Sequence, residues 1–150
     1  MKKLAINLQA KPEEKTLNGR EYLVAPLTLI VPGVLNGSRG PLLYPEDEVR
    51  HNVDSWNAIP MTINHPVVDG KSVSARTPSI MNQSVGMILE AKYDGKLTAQ
   101  GWFDVEALKR LDPNLLINIR NGNKIELSTG LYTDDERRKG TYNGVEYTSI

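Results

Sequence analysis

The chain of 150 residues, with 39% hydrophobic and 24% charged residues, has the length and balance of one globular domain rather than a disordered segment. Its 18 basic and 18 acidic residues cancel, which leaves no net field to recruit nucleic acid or an anionic membrane. It has no cysteine, which excludes disulfides, thiolate metal sites and cysteine nucleophiles.

The opening Met1-Lys2-Lys3 is basic, but the apolar run Leu4-Ala5-Ile6 that follows is too short for a signal peptide. No stretch approaches the roughly 18 apolar residues of a membrane span. A soluble protein of the cell interior is expected. Residues 1–20, with Lys11-Pro12-Glu13-Glu14-Lys15 among them, are polar and read as a flexible arm ahead of a domain over 21–150.

Residues 21–31 are rich in Leu, Val, Ile and Tyr and predict one or two strands. Pro26 within them requires an edge position or a bulge, because proline donates nothing to the ladder. Pro32-Gly33 and the run from Asn36 to Pro41 predict a flexible loop. Pro45 followed by Glu46, Asp47 and Glu48 suits a helix N-terminus, and the helix is expected to reach about Asn57 with Val49, Val53 and Trp56 inward. A short strand over 59–63 leads to Asn64-His65-Pro66. Residues 67–82 are polar and predict a mobile loop, which could serve as a substrate flap or be an ordinary insert.

Strands are expected over 84–93 and 96–103, joined by a two-residue turn at Asp94-Gly95. Asp104 can cap a helix carrying Val105, Leu108 and Leu111, and Asp112-Pro113 restarts it with Leu115, Leu116 and Ile119 on one face. These apolar faces read as core, with a dimer interface as the competing use. Residues 124–133 form the next strand, and Asn143-Gly144 turns a last hairpin whose second strand ends at Ile150. That ending leads us to expect truncation at the C-terminus. The fold class is α+β, with mainly antiparallel strands and two or three helices.

Most motifs that could carry chemistry fail on inspection. Asp69-Gly70-Lys71-Ser72 lacks the earlier glycine of a phosphate loop, because His65 stands there. Glu126-Leu127-Ser128-Thr129-Gly130 lacks the first glycine of a nucleophile elbow. Asn36-Gly37-Ser38 and Asn82-Gln83-Ser84 are glycosylation sequons with no secretory signal to use them.

One serine and two histidines remain. Strand alternation places Glu126, Ser128, Gly130 and Tyr132 on one face, where Gly130 leaves room for a substrate backbone. A serine hydroxyl needs a base to take its proton, and histidine is the usual one. His51, among Glu48, Arg50, Asn52 and Asp54, reads as a solvated helix residue. His65 follows an apolar strand and precedes a proline, which favours extended backbone. From the residues alone it is either a base or a loop histidine held by a hydrogen bond. A metal site would need His and carboxylates at a spacing the chain does not show, so a carboxylate-bound metal hydrolase is a distant alternative.

Three segments in order, Met61-Thr62-Ile63-Asn64-His65-Pro66, Ser84-Val85-Gly86-Met87-Ile88 and Ile125-Glu126-Leu127-Ser128-Thr129-Gly130-Leu131-Tyr132, with Asn143-Gly144-Val145-Glu146-Tyr147 after them, resemble the prohead maturation proteases of tailed bacteriophages. The likeness is to the branch first catalogued as an uncharacterised phage-protein family, and it covers roughly residues 20 to 150. It implies the serine protease fold shared with herpesvirus assemblins, a small antiparallel β-barrel flanked by helices. It implies Ser128 as nucleophile and His65 as general base, without cofactor or metal. In this family a further histidine and an Arg-Gly turn follow the last hairpin, so the third catalytic residue is expected beyond Ile150, with Glu126 as a fallback. The implied substrates are the phage capsid and scaffolding proteins and the chain itself, inside the procapsid in the host bacterial cytoplasm, with a possible homodimer. The competing reading is a non-enzymatic head scaffold or assembly protein with a protease-like domain.

Overall fold

The computed structural model describes residues 2–6 (main chain), 11–37, 40–123, 125–130 and 133–150. In chain order the strands are β1 (Lys2–Ile6), β2 (Glu13–Leu17), β3 (Arg20–Ile30), β4 (Gly33–Gly37), β5 (Gly40–Tyr44), β6 (Pro60–Thr62), β7 (Val67–Val68), β8 (Lys71–Ser72), β9 (Ser84–Tyr93), β10 (Leu97–Asp104), β11 (Ile125–Thr129), β12 (Arg137–Tyr142) and β13 (Val145–Ser149). The helices are α1 (Glu46–Arg50), α2 (Val105–Leu111) and α3 (Pro113–Arg120), with 3₁₀ turns at Val53–Trp56 and Pro78–Gln83. The α+β class with antiparallel sheets stands.

The centre is a five-stranded antiparallel sheet in the order β2-β3-β10-β9-β6. Alternation along β10 buries Leu97, Ala99, Gly101 and Phe103 and turns Thr98, Gln100 and Trp102 to the other face. Leu23, Leu27, Leu29, Val105, Leu108 and Ile119 are almost fully buried and join β3 to α2 and α3. The two helices cover the sheet because each is capped: the Asp104 carboxylate accepts from the Ala107 N–H, and Asp112 from the Leu115 N–H. Pro26 is exposed and stands opposite Gln100 of β10, and on its other side β3 is an edge there, because its pairing with β2 stops at Val24.

A four-stranded sheet, β12-β13-β5-β4, stands beside the first. Its β13 runs parallel to β5, with Ser149 opposite Leu42. A two-stranded ribbon pairs β1 with β11 and packs through Ile125 and Leu127 on the main core. Among the described residues every sheet has open edges and no closed barrel forms. At the rims of the central sheet, β6 has three residues and β2 is exposed throughout.

Several sequence expectations change. The polar arm holds β1 and β2, and Asn18-Gly19, both with positive φ (51° and 76°), turn β2 tightly into β3. Residues 32–41 supply the hairpin of β4 and β5 rather than a loop, with Ser38 and Arg39 outside the described residues. The helix expected to reach Asn57 breaks at His51, which is extended, and Asn52, which is left-handed (φ 54°). Val49 is buried, and Val53 and Trp56 reach the core from the separate 3₁₀ turn. The turn at Asp94-Gly95 also includes Lys96, because Tyr93 pairs with Leu97. Leu111 ends α2 and is 37% exposed, since the chain changes direction at Asp112 before α3 begins. Lys124, Leu131 and Tyr132, which the sequence assigns to the strand carrying Ser128, lie outside the described residues. No described helix is long and apolar enough to cross a membrane.

Candidate active site

Ile125 and Leu127 of β11 pack toward the core, so alternation turns Glu126 and Ser128 the other way. On the ladder side, β1 pairs antiparallel with β11 and sets Lys3 opposite Ser128. Beyond Ser128, Gly130 is exposed and a Cβ placed there would meet no heavy atom within 4 Å. Among the described residues the space beside Gly130 is open.

His65 reaches this surface from the other end of the central sheet. β6 pairs with β9, and the Thr62 hydroxyl then donates to the Asn64 carbonyl at 2.6 Å, which bends the chain as it leaves the sheet. Pro66 is buried and its carbonyl accepts from the Val73 N–H at 3.0 Å. His65 is thus held between two anchored residues while its own ring is exposed. Its Nε2 lies 2.9 Å from the Ser128 Oγ, across 63 residues of sequence.

This distance falls within the 2.6–3.2 Å or so expected of a nucleophile and its base. In the productive tautomer the Ser128 hydroxyl donates to an unprotonated Nε2, and the proton on Nδ1 faces away from the serine. The pair is able to transfer a proton from the serine as the oxygen attacks an electrophile. Ile63 and Val67, two residues to either side of His65, are exposed.

The segment after His65 is not the mobile loop the composition suggests. β7 and β8 form a small hairpin turned by Asp69-Gly70, both at positive φ (51° and 76°). Farther on, Arg76 donates to the carbonyls of Ser55 and Asn57 at 2.9 and 3.2 Å, and Ile80 is buried at 2% exposure. These ties fix the base of the hairpin beside His65. The Asp-Gly dipeptide was the readable signal for this turn, as Asn18-Gly19 was for the first hairpin.

The other candidates are placed apart from this pair or beside it. His51 is exposed at the C-terminus of α1, where its main-chain N–H bonds the Asp47 and Glu48 carbonyls. Glu126 is exposed on Ser128's side of β11. Among the described residues no three His, Cys, Asp or Glu side chains converge as metal ligands would. A groove of about 300 Å³ lies along Arg20, Tyr22, Met81, Ser84 and Met87, and neither Ser128 nor His65 lines it. There Asp104 holds the Arg20 guanidinium by a hydrogen bond and by its charge, and raises its pKa above the usual arginine value. No protein-family model, curated protein or solved structure shows a significant match to this chain.

Proposed function

We propose that this chain is a serine endopeptidase of the prohead maturation type, with Ser128 as nucleophile and His65 as general base. The observation that carries the reading is the 2.9 Å contact between His65 Nε2 and Ser128 Oγ, together with the ordered motifs that surround both residues. Ser128 Oγ attacks the scissile carbonyl while His65 takes its proton. His65 then protonates the leaving amine, and a water activated by the same imidazole hydrolyses the acyl-enzyme. The substrate is an extended segment laid beside β11 by strand addition. Capsid and scaffolding proteins, and the chain itself, are the substrates this reading names. It places the action inside a procapsid in the bacterial cytoplasm and relates the open antiparallel sheets to the assemblin-like barrel.

The test is a gel and intact-mass time course on the full-length gene product co-expressed with its capsid and scaffolding proteins. Discrete fragments in the wild type that vanish in Ser128→Ala support the reading. Fragments that persist in Ser128→Ala overturn it. The second reading, a non-enzymatic head assembly protein, draws on the placement of the pair, since neither Ser128 nor His65 lines the groove along Arg20 and Met87 or the one along Arg137 and Ser149. Intact proteins from both versions, with stable co-purification of capsid protein, would favour it.

A further inference from the structure

The chain is neutral overall, yet three consecutive cations, Arg137, Arg138 and Lys139, line a single open groove of about 410 Å³ together with Thr148 and Ser149. In a regular strand, neighbouring side chains point to opposite faces. Here Arg137 pairs with Ser149 but Gly140 pairs with Tyr147, so β12 carries one residue more than β13 across that interval. This bulge breaks the alternation and lets successive basic side chains border the same groove.

The charges are not all spent within the fold. Arg138 binds Glu136 at 3.2 Å, whereas Arg137 and Lys139 meet no acidic partner among the described residues. All three are exposed. Beside them, the outer edge of β12 faces no other strand among the described residues, because β12 ends the order β12-β13-β5-β4. Its main-chain donors and acceptors along that edge form a template for one more strand.

We infer that the β12 edge and its basic groove bind an extended acidic peptide segment, whose backbone adds to β12 and whose carboxylates meet Arg137 and Lys139. A peptide fits better than a nucleic acid for two reasons. The cations are confined to one bulged strand on a neutral protein, which supplies no field along a phosphate backbone. A free strand edge recognises peptide main chain, and arginine engages carboxylates in paired hydrogen bonds. This inference does not rest on the protease reading, so it is tested on Ser128→Ala protein, in which cleavage cannot confuse the result.

The experiment is fluorescence anisotropy with labelled octaglutamate as the probe. Saturable binding is expected, weakening as salt rises from about 50 to about 300 mM, with octaglutamine failing to bind. Arg137→Glu with Lys139→Glu should weaken octaglutamate binding by about tenfold or more. The milder Arg137→Gln with Lys139→Gln should weaken it to a lesser degree, with circular dichroism of each variant confirming the fold. Octaglutamate N-methylated at alternate amides should bind several-fold more weakly, because it cannot complete the ladder. Unchanged binding in folded double variants, or equal binding of octaglutamine, overturns the site. An oligothymidylate of equal charge that binds as tightly overturns the peptide assignment, and an N-methylated peptide that binds equally overturns strand addition.

Discussion

Gly86 packs so closely on Trp102 that a Cβ at Gly86 would fall 1.9 Å from the Trp102 carbonyl oxygen. Its φ of 151° is also one that residues with side chains avoid. Gly86 sits where β9 is flanked by Met61 of β6 and Phe103 of β10, so it fixes the strand that delivers His65. Gly86→Ala should destabilise the protein by about 2–4 kcal/mol, through main-chain displacement and strain. Gly130→Ala, with open space at its Cβ, should change stability far less. Urea unfolding of the two variants checks the contrast.

Ser128→Ala and His65→Ala should each reduce peptide-bond cleavage by at least about a thousandfold. The double variant should be hardly worse than either one, because the two groups act as a unit. Neither side chain is buried in the core, so both variants should unfold within about 0.5 kcal/mol of the wild type. Labelling by a fluorophosphonate gives a second readout. It should modify Ser128 in the wild type and fall sharply in His65→Ala, in which no base takes the hydroxyl proton.

The parts of this fold that were legible in the sequence are those where local chemistry and tertiary packing agree. The capping carboxylates Asp104 and Asp112, the alternation over β10, and the Asn143-Gly144 hairpin are all of this kind. β2 was illegible because Glu13-Glu14-Lys15-Thr16-Leu17 buries nothing. It is a strand only because Asn18-Gly19 folds it onto β3, where Lys15 lies over the Trp102 ring at 5.5 Å. Similarly, the break at Asn52 reflects a backbone conformation that helical spacing cannot reveal. Strand alternation and the Pro66 context made Ser128 and His65 plausible separately. Their meeting depends on how the β1–β11 ribbon sits against the central sheet, whose edge strand β6 leads to His65, a long-range relationship that no local pattern encodes.

The two aspartate caps provide a matched pair. Asp104 accepts from Ala107 N–H at 3.2 Å, and Asp112 from Leu115 N–H at 3.1 Å. Replacing either by Ala should lower stability by about 1 kcal/mol. Asp104 also pairs with Arg20, whose side chain is 56% exposed, and exposed pairs contribute little. Arg20→Ala should therefore cost clearly less than Asp104→Ala, leaving most of the Asp104→Ala loss to the cap. Urea midpoints of the three variants separate the two contributions. An Arg20→Ala loss as large as that of Asp104→Ala would assign the effect to the ion pair instead.

At the end of β5, burial raises the pKa of the Tyr44 phenol, and the nearby Asp135 charge adds to the shift. The folded protein therefore holds this proton more tightly than the unfolded chain does. The associated stability is fully present below the ordinary tyrosine value of about 10, and is lost as pH rises past that value and through the higher folded one. Tyr44→Phe removes the titration while keeping the ring. Between about pH 9 and pH 11, the wild type should lose stability more steeply than Tyr44→Phe, while below that window the two should run parallel. Urea midpoints measured across the range check this. Equal slopes above pH 9 would mean that Tyr44 gains no protection from its surroundings, and that β5 is more open to water than its packing beside Leu43 indicates.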